Sequence, residues 1–98
     1  MLSKRYFKTK NEVEVTFEVP PTAGETVEWV SDATDWVPVE MPALNRGRGP
    51  FKLRVRLPKD RQIQFRYLVD GSRWINDDGA DDYWYNGHDA HNSVVSTV

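Results

Sequence analysis

Gln62-Ile63-Gln64-Phe65-Arg66-Tyr67-Leu68-Val69-Asp70-Gly71-Ser72-Arg73-Trp74 is the stretch that decides the fold. Ile63, Phe65, Tyr67 and Val69 alternate with Gln62, Gln64, Arg66 and Leu68. A period of two predicts a strand with one face in a core. Asp70-Gly71 ends the strand, because glycine tolerates the positive φ of a tight turn. Arg66 points away from Phe65 and Tyr67, and the turn brings the large ring of Trp74 back beside it. Sugars present polar edges and apolar C–H faces. A planar cation next to an indole, both on rigid strands, is the kind of surface that recognises them.

The same period recurs on either side. Val13, Val15, Phe17 and Val19 alternate with Glu12, Glu14, Thr16 and Glu18, a half-buried strand closed by Pro20-Pro21-Thr22-Ala23-Gly24. Thr26–Ser31 reads as a strand with Val27 and Trp29 inward. Asp32-Ala33-Thr34-Asp35-Trp36 is a polar loop, and Val37, Val39 and Met41 predict a short edge strand broken by Pro38. Pro42–Pro50 is a loop whose glycines lack the lysine and Ser/Thr of a phosphate loop. Phe51, Leu53, Val55 and Leu57 predict a further strand, and Pro58-Lys59-Asp60 is expected to join it to the Gln62–Val69 strand as a hairpin. Ile75–Gly87 is expected to be irregular, and Asn92–Val98 to form the closing strand. Residues 1–10 read as an edge strand or as a frayed lead-in. No stretch holds a helical period. Strands at spacings of about ten residues with turns between them predict an all-β sandwich.

The chain has 98 residues, 39% hydrophobic and 29% charged, which fits one globular domain. A net charge of −2 supplies no drive toward nucleic acid or an anionic membrane. Lys4, Arg5, Lys8 and Lys10 make a basic start; Asp77, Asp78, Asp81 and Asp82 make an acidic patch, and both read as solvated segments. The absence of cysteine excludes disulfides, thiolate metal sites and cysteine nucleophiles. No segment approaches the roughly 20 apolar residues of a membrane span, and Met1–Lys10 lacks the apolar run of a signal peptide. The expected location is cytoplasmic.

The residues offer little for catalysis or metal binding. There is no GxSxG elbow, and carboxylate pairs in an acidic loop are not by themselves a glycosidase signature. Asn76–Asp82 fails as a calcium loop: with Gly79 at the invariant glycine, Trp74 and Tyr85 fall on ligand positions. His88, Asp89 and His91 are too few for a zinc site without thiolates. The chain is therefore read as a non-enzyme without metal or cofactor. Trp36 and Trp74 remain as plates for sugar rings, since each sits in a loop among polar residues, whereas Trp29 is in phase with the core. Arg66 and Asn92 are the polar partners, the arginine offering five donors in a fixed fork. Tyr83, Trp84 and Asn86 are a possible extension of that set.

These residues resemble a known family. Phe65–Trp74, taken with the Trp36 loop and the ending Asn92-Ser93-Val94-Val95, is similar to the family-48 carbohydrate-binding module. That module occurs in isoamylases, in glycogen-branching enzymes and in the glycogen-binding part of the AMP-activated protein kinase beta subunit. The resemblance spans about Glu12 to Val98. It implies an early-set, immunoglobulin-like antiparallel sandwich that binds α-1,4-glucan such as glycogen without cleaving it. Matched by position, it implies that Trp36 and Trp74 stack on glucose rings and that Asn92 bonds hydroxyls. Arg66 stands where the glycogen-binding members have lysine, and Gly71-Ser72-Arg73-Trp74 is one residue longer than the kinase subunit's Gly-x-Trp. Expected partners are an α-glucan and a glycogen-metabolising enzyme. The alternative is an early-set protein-interaction or scaffolding module without a working sugar site.

Overall fold

The structure, a computed structural model, describes residues 2–87 and 90–98. It is an antiparallel sandwich of two sheets. One sheet holds β1 (Leu2–Tyr6), β2 (Glu12–Val19) and β5 (Phe51–Pro58) in the order β1-β2-β5. The other runs β4-β3-β6-β9-β8, from β3 (Val27–Ser31), β4 (Val39–Glu40), β6 (Gln62–Val69), β8 (Asp82–Tyr85) and β9 (His91–Ser96). A short β7 (Arg73–Ile75) also pairs with β6. The N-terminal segment is thus an edge strand, with Leu2 opposite Phe17 and Tyr6 opposite Val13.

Alternation along the strands makes the core. Val13, Val15, Phe17 and Val19 face inward from one sheet; Val27, Trp29, Ile63, Phe65, Tyr67, Val69 and Val95 face them from the other, all buried. Phe17 is the contact between layers: its ring lies 5.0 Å from Trp29 and 4.8 Å from Phe65. Such aromatic pairs add to the burial of apolar area that holds the sheets together.

The central strand is β6. One of its edges pairs with β3, from Val27 opposite Val69 to Ser31 opposite Phe65. The other edge is shared end to end. β9 takes Gln62–Phe65 and β7 takes Tyr67–Val69. Asp70 and Gly71, at φ 52° and 70°, form the turn between β6 and β7, and Ser72 N–H closes it onto the Val69 carbonyl at 3.1 Å. Both central residues at positive φ match the hairpin turn that suits strand twist.

Four sequence expectations are corrected. Pro58-Lys59-Asp60 does not form a hairpin, since β5 pairs with β2 in one sheet and β6 lies in the other. The link crosses the sandwich, with Lys59 N–H bonded to Asn11 O and Asp60 N–H to Thr97 O. A two-residue period shows that neighbouring segments are strands but not which strands they pair with. Ile75–Gly87 is not irregular throughout, because it contains the end of β7 and all of β8. The strand expected over Val37–Met41 is only Val39–Glu40, with Val37 exposed. The closing strand stops at Ser96, and Val98 is exposed.

Among the described residues no helix is long and apolar enough to cross a membrane.

Candidate functional site

The outer face of the larger sheet carries most of the predicted residues. Register fixes which they are. Gln64, Arg66 and Leu68 point away from the core, and Trp74, opposite Leu68, shares their side. The three residues between Val69 and Arg73 absorb the longer turn and keep Trp74 on this face. The Arg66 guanidinium carbon lies 5.2 Å from the centre of the Trp74 ring, a cation–π contact. Trp74 remains 45% exposed. Among the described residues the Arg66 side chain makes no ion pair or hydrogen bond; its Nε is covered without an acceptor, while its two terminal nitrogens are not covered in this way. Those terminal nitrogens have donors to offer to hydroxyl groups.

Asn92 lies on the same face. The β6–β9 ladder ends at Phe65 opposite Ser93, so Asn92 sits one position further, at the level of Arg66. It is buried, and its amide is held: Nδ2 donates to Gln64 Oε1 at 3.1 Å, and Oδ1 accepts from Asn86 Nδ2 at 3.4 Å. The structure therefore brings Arg66, Trp74 and Asn92 to one surface, with Gln64 between them. Gln64 was not singled out from the sequence, although its outward phase two residues before Arg66 was visible there.

Trp36 is placed differently. Ser31 Oγ donates to Gln64 O and accepts from Ala33 N–H, and Asp32 Oδ1 accepts from Gln64 N–H at 3.2 Å. These bonds fasten the 3-10 turn Asp32–Thr34 to β6. The chain then passes through Asp35 and Trp36 at φ 54° and 62°. A bulky residue at positive φ is costly, on the order of 1–3 kcal/mol. It is held by the Trp36 N–H bond to Ser31 O at 2.7 Å. Trp36 is 43% exposed. It lies at the Phe65 level on the β3 side of β6, whereas Trp74 is at the Leu68 level on the other side. The offset along the strand is about 10 Å at roughly 3.3 Å per residue. No ring contact joins Trp36 to Arg66 or Trp74 among the described residues.

The possible extension divides by face. Trp84 is opposite Asn92 and so shares the outer face. Tyr83 faces the other way, and its hydroxyl donates to the Asp77 carbonyl. Asn86 joins the carboxamide chain already described.

Asn76 and Asp77 do work that composition hides. Asp77 is 2% exposed, unlike Asp78, Asp81 and Asp82, and so corrects the reading of the patch as wholly solvated. Its carboxylate accepts from Tyr67 Oη at 2.6 Å and from Gly79 N–H at 2.7 Å. Burial first, and the neighbouring Asp77 carboxylate second, raise the Tyr67 pKa well beyond the ordinary range of a phenol. Asn76 ties β7 to β9, donating to His91 O and accepting from Ser93 N–H and Oγ. Among the described residues no three His, Asp or Glu side chains form a metal cluster; His88 and Asp89 lie outside those residues, and His91 packs edge-on to Tyr85 at 5.5 Å.

A concavity lies elsewhere. A groove of about 710 Å³ runs between Val19–Ala23 and Ile75–Asp78, and none of the predicted binding residues Trp36, Arg66, Trp74 and Asn92 lines it. The tryptophan face is instead an open, plate-like surface. No protein-family model and no curated protein matches the chain.

Proposed function

We propose that the chain is a non-catalytic module that binds α-1,4-glucan on the outer face of the larger sheet, with the early-set, immunoglobulin-like arrangement of the family-48 carbohydrate-binding modules. The observation that carries this reading is the Arg66–Trp74 pair. A half-exposed indole is backed on one side by a guanidinium that has no internal acceptor, and Gln64 and Asn92 stand beside it. Trp74 supplies the stacking surface and Arg66 supplies bonds to hydroxyls; Asn92, buried and bonded to Gln64 and Asn86, holds the polar side chains of this face in place. The groups sit on paired strands, so little reorganisation accompanies binding. Short oligosaccharides engage few atoms and must shed water, so their affinity is weak. The expected setting is the cytoplasm, beside a glycogen-metabolising enzyme.

A titration of the ¹⁵N-labelled chain with maltoheptaose, following indole N–H signals, tests this. Saturable shifts at Trp74 with Trp29 silent are expected. Trp74→Ala should weaken binding about tenfold or more, roughly 1.4 kcal/mol. Trp36→Ala together with Trp74→Ala should abolish it, with thermal unfolding little changed because both rings are exposed. Normal binding by the double variant would overturn the site.

One observation favours a second reading. Trp36 and Val37 are adjacent and exposed, and Trp36 is separated from the Arg66–Trp74 pair. A protein-interaction module without a sugar site would use such a patch. Under that reading maltoheptaose gives no shifts at millimolar concentration.

A further inference from the structure

We propose that Trp84 is a second stacking plate on the tryptophan face, so that the surface takes a run of several linked hexoses rather than a short oligosaccharide. This rests on the glucan reading above and deepens it.

Three observations place the plate. Trp84 pairs with Asn92, and the two share the outward side of the sheet. Its indole is 36% exposed and is steadied by Nε1, which donates to Asp82 Oδ2 at 3.2 Å. Its neighbour Tyr83 turns the other way and is occupied at Asp77. The core takes no part of Trp84.

The spacing suits a longer chain. Trp74 is opposite Leu68, and Trp84 lies one strand further out and about two residues lower. With strands about 4.8 Å apart and a rise of about 3.3 Å per residue, their Cα atoms are separated by about 8 Å. That exceeds the width of one pyranose ring. The Asp82 bond draws the Trp84 indole further along its strand, while the Trp74 indole lies against Arg66. Between the plates runs a line of carboxamides, Gln64 to Asn92 to Asn86. Among the described residues the Gln64 Nε2 group has no acceptor, so this line has a donor for the hydroxyls of the intervening sugars.

The test compares maltotriose with maltoheptaose on the intact chain and on Trp84→Ala and Trp84→Phe. For Trp84→Ala we expect maltoheptaose affinity to fall about fivefold or more, with maltotriose affinity changed by less than about twofold. Trp84→Phe keeps an aromatic plate and should retain most of the preference for the longer chain, which separates stacking from any loss of fold. In the unaltered protein the Trp84 indole signal should move with maltoheptaose and stay still with maltotriose. An equal loss for both sugars, or none for either, overturns the second plate and leaves the first site standing. If the unaltered chain binds neither sugar, the glucan reading itself falls and this inference with it.

Discussion

Tyr67 shows what one hydroxyl does in this core. The ring packs 5.6 Å from Phe65, and the O–H reaches the buried Asp77 carboxylate. Since burial raises its pKa, the hydroxyl stays a donor beyond the pH at which an exposed phenol ionises. Tyr67→Phe removes one buried donor to the carboxylate. A cost of about 1–3 kcal/mol is expected, seen as a fall in Tm of several degrees for a domain of this size. Tyr67 was legible in the sequence as an inward residue because it keeps step with Phe65 and Val69. Its partner was not. Asp77 stands in Asp77-Asp78-Gly79-Ala80-Asp81-Asp82, where nothing in composition or period tells the buried carboxylate from the solvated ones. The distinction arises only when β7 and β9 bring Asn76 and Ser93 together.

The β6–β7 turn is fastened through Asp70 to the start of β3, the strand beside β6 in the same sheet. Asp70 Oδ1 accepts from Thr26 N–H at 3.0 Å and Glu25 N–H at 2.8 Å, just before β3 begins. Gly24 leaves room for this, since a Cβ there would meet Val69 Cγ1 at 2.5 Å and Asp70 Oδ2 at 2.6 Å. The bond from Thr26 N–H, then that from Glu25 N–H, lowers the Asp70 pKa, and Arg73 adds to it. A depressed folded pKa gives stability that is present above the unfolded value of about 3.9 and lost as pH falls through the folded one. Asp70→Asn tolerates the same backbone but lacks the charge. The difference in Tm between the original and the variant should therefore be largest near neutrality and shrink below about pH 4. A pH-independent difference would mean that the charge plays no part. Most strands could be read from their period and their Gly or Pro ends. β7 and β8 could not, because three or four residues are too few to show a period among so many Asp, Asn and Gly. For the site, Arg66, Trp74 and Asn92 were legible as outward or loop residues. The separate position of Trp36 was not, since it follows from left-handed backbone at Asp35 and Trp36 that the residue types there do not announce.

At the scale of the molecule, the two layers are joined by side chains as well as by the core. Lys4 Nζ on β1 reaches Asp81 Oδ2 at 2.6 Å, and Asp81 also accepts from Ser96 N–H. The core is built from inward residues, and the proposed binding face from outward ones, so the two can be altered almost independently. The link from β5 to β6 has a consequence in time. Because it crosses the sandwich instead of turning back, β5 must find β2, with Phe51 opposite Val19, across the loop of residues 20–50. β6 must likewise wait for β9, where Gln62 meets Ser96. Closing loops of that length costs entropy before any contact compensates for it. Refolding from denaturant should therefore take milliseconds to seconds, which stopped-flow tryptophan fluorescence would measure through the buried Trp29. A microsecond phase carrying the full signal would show that the local β1–β2 and β6–β7 hairpins, and not the distant pairings, set the pace.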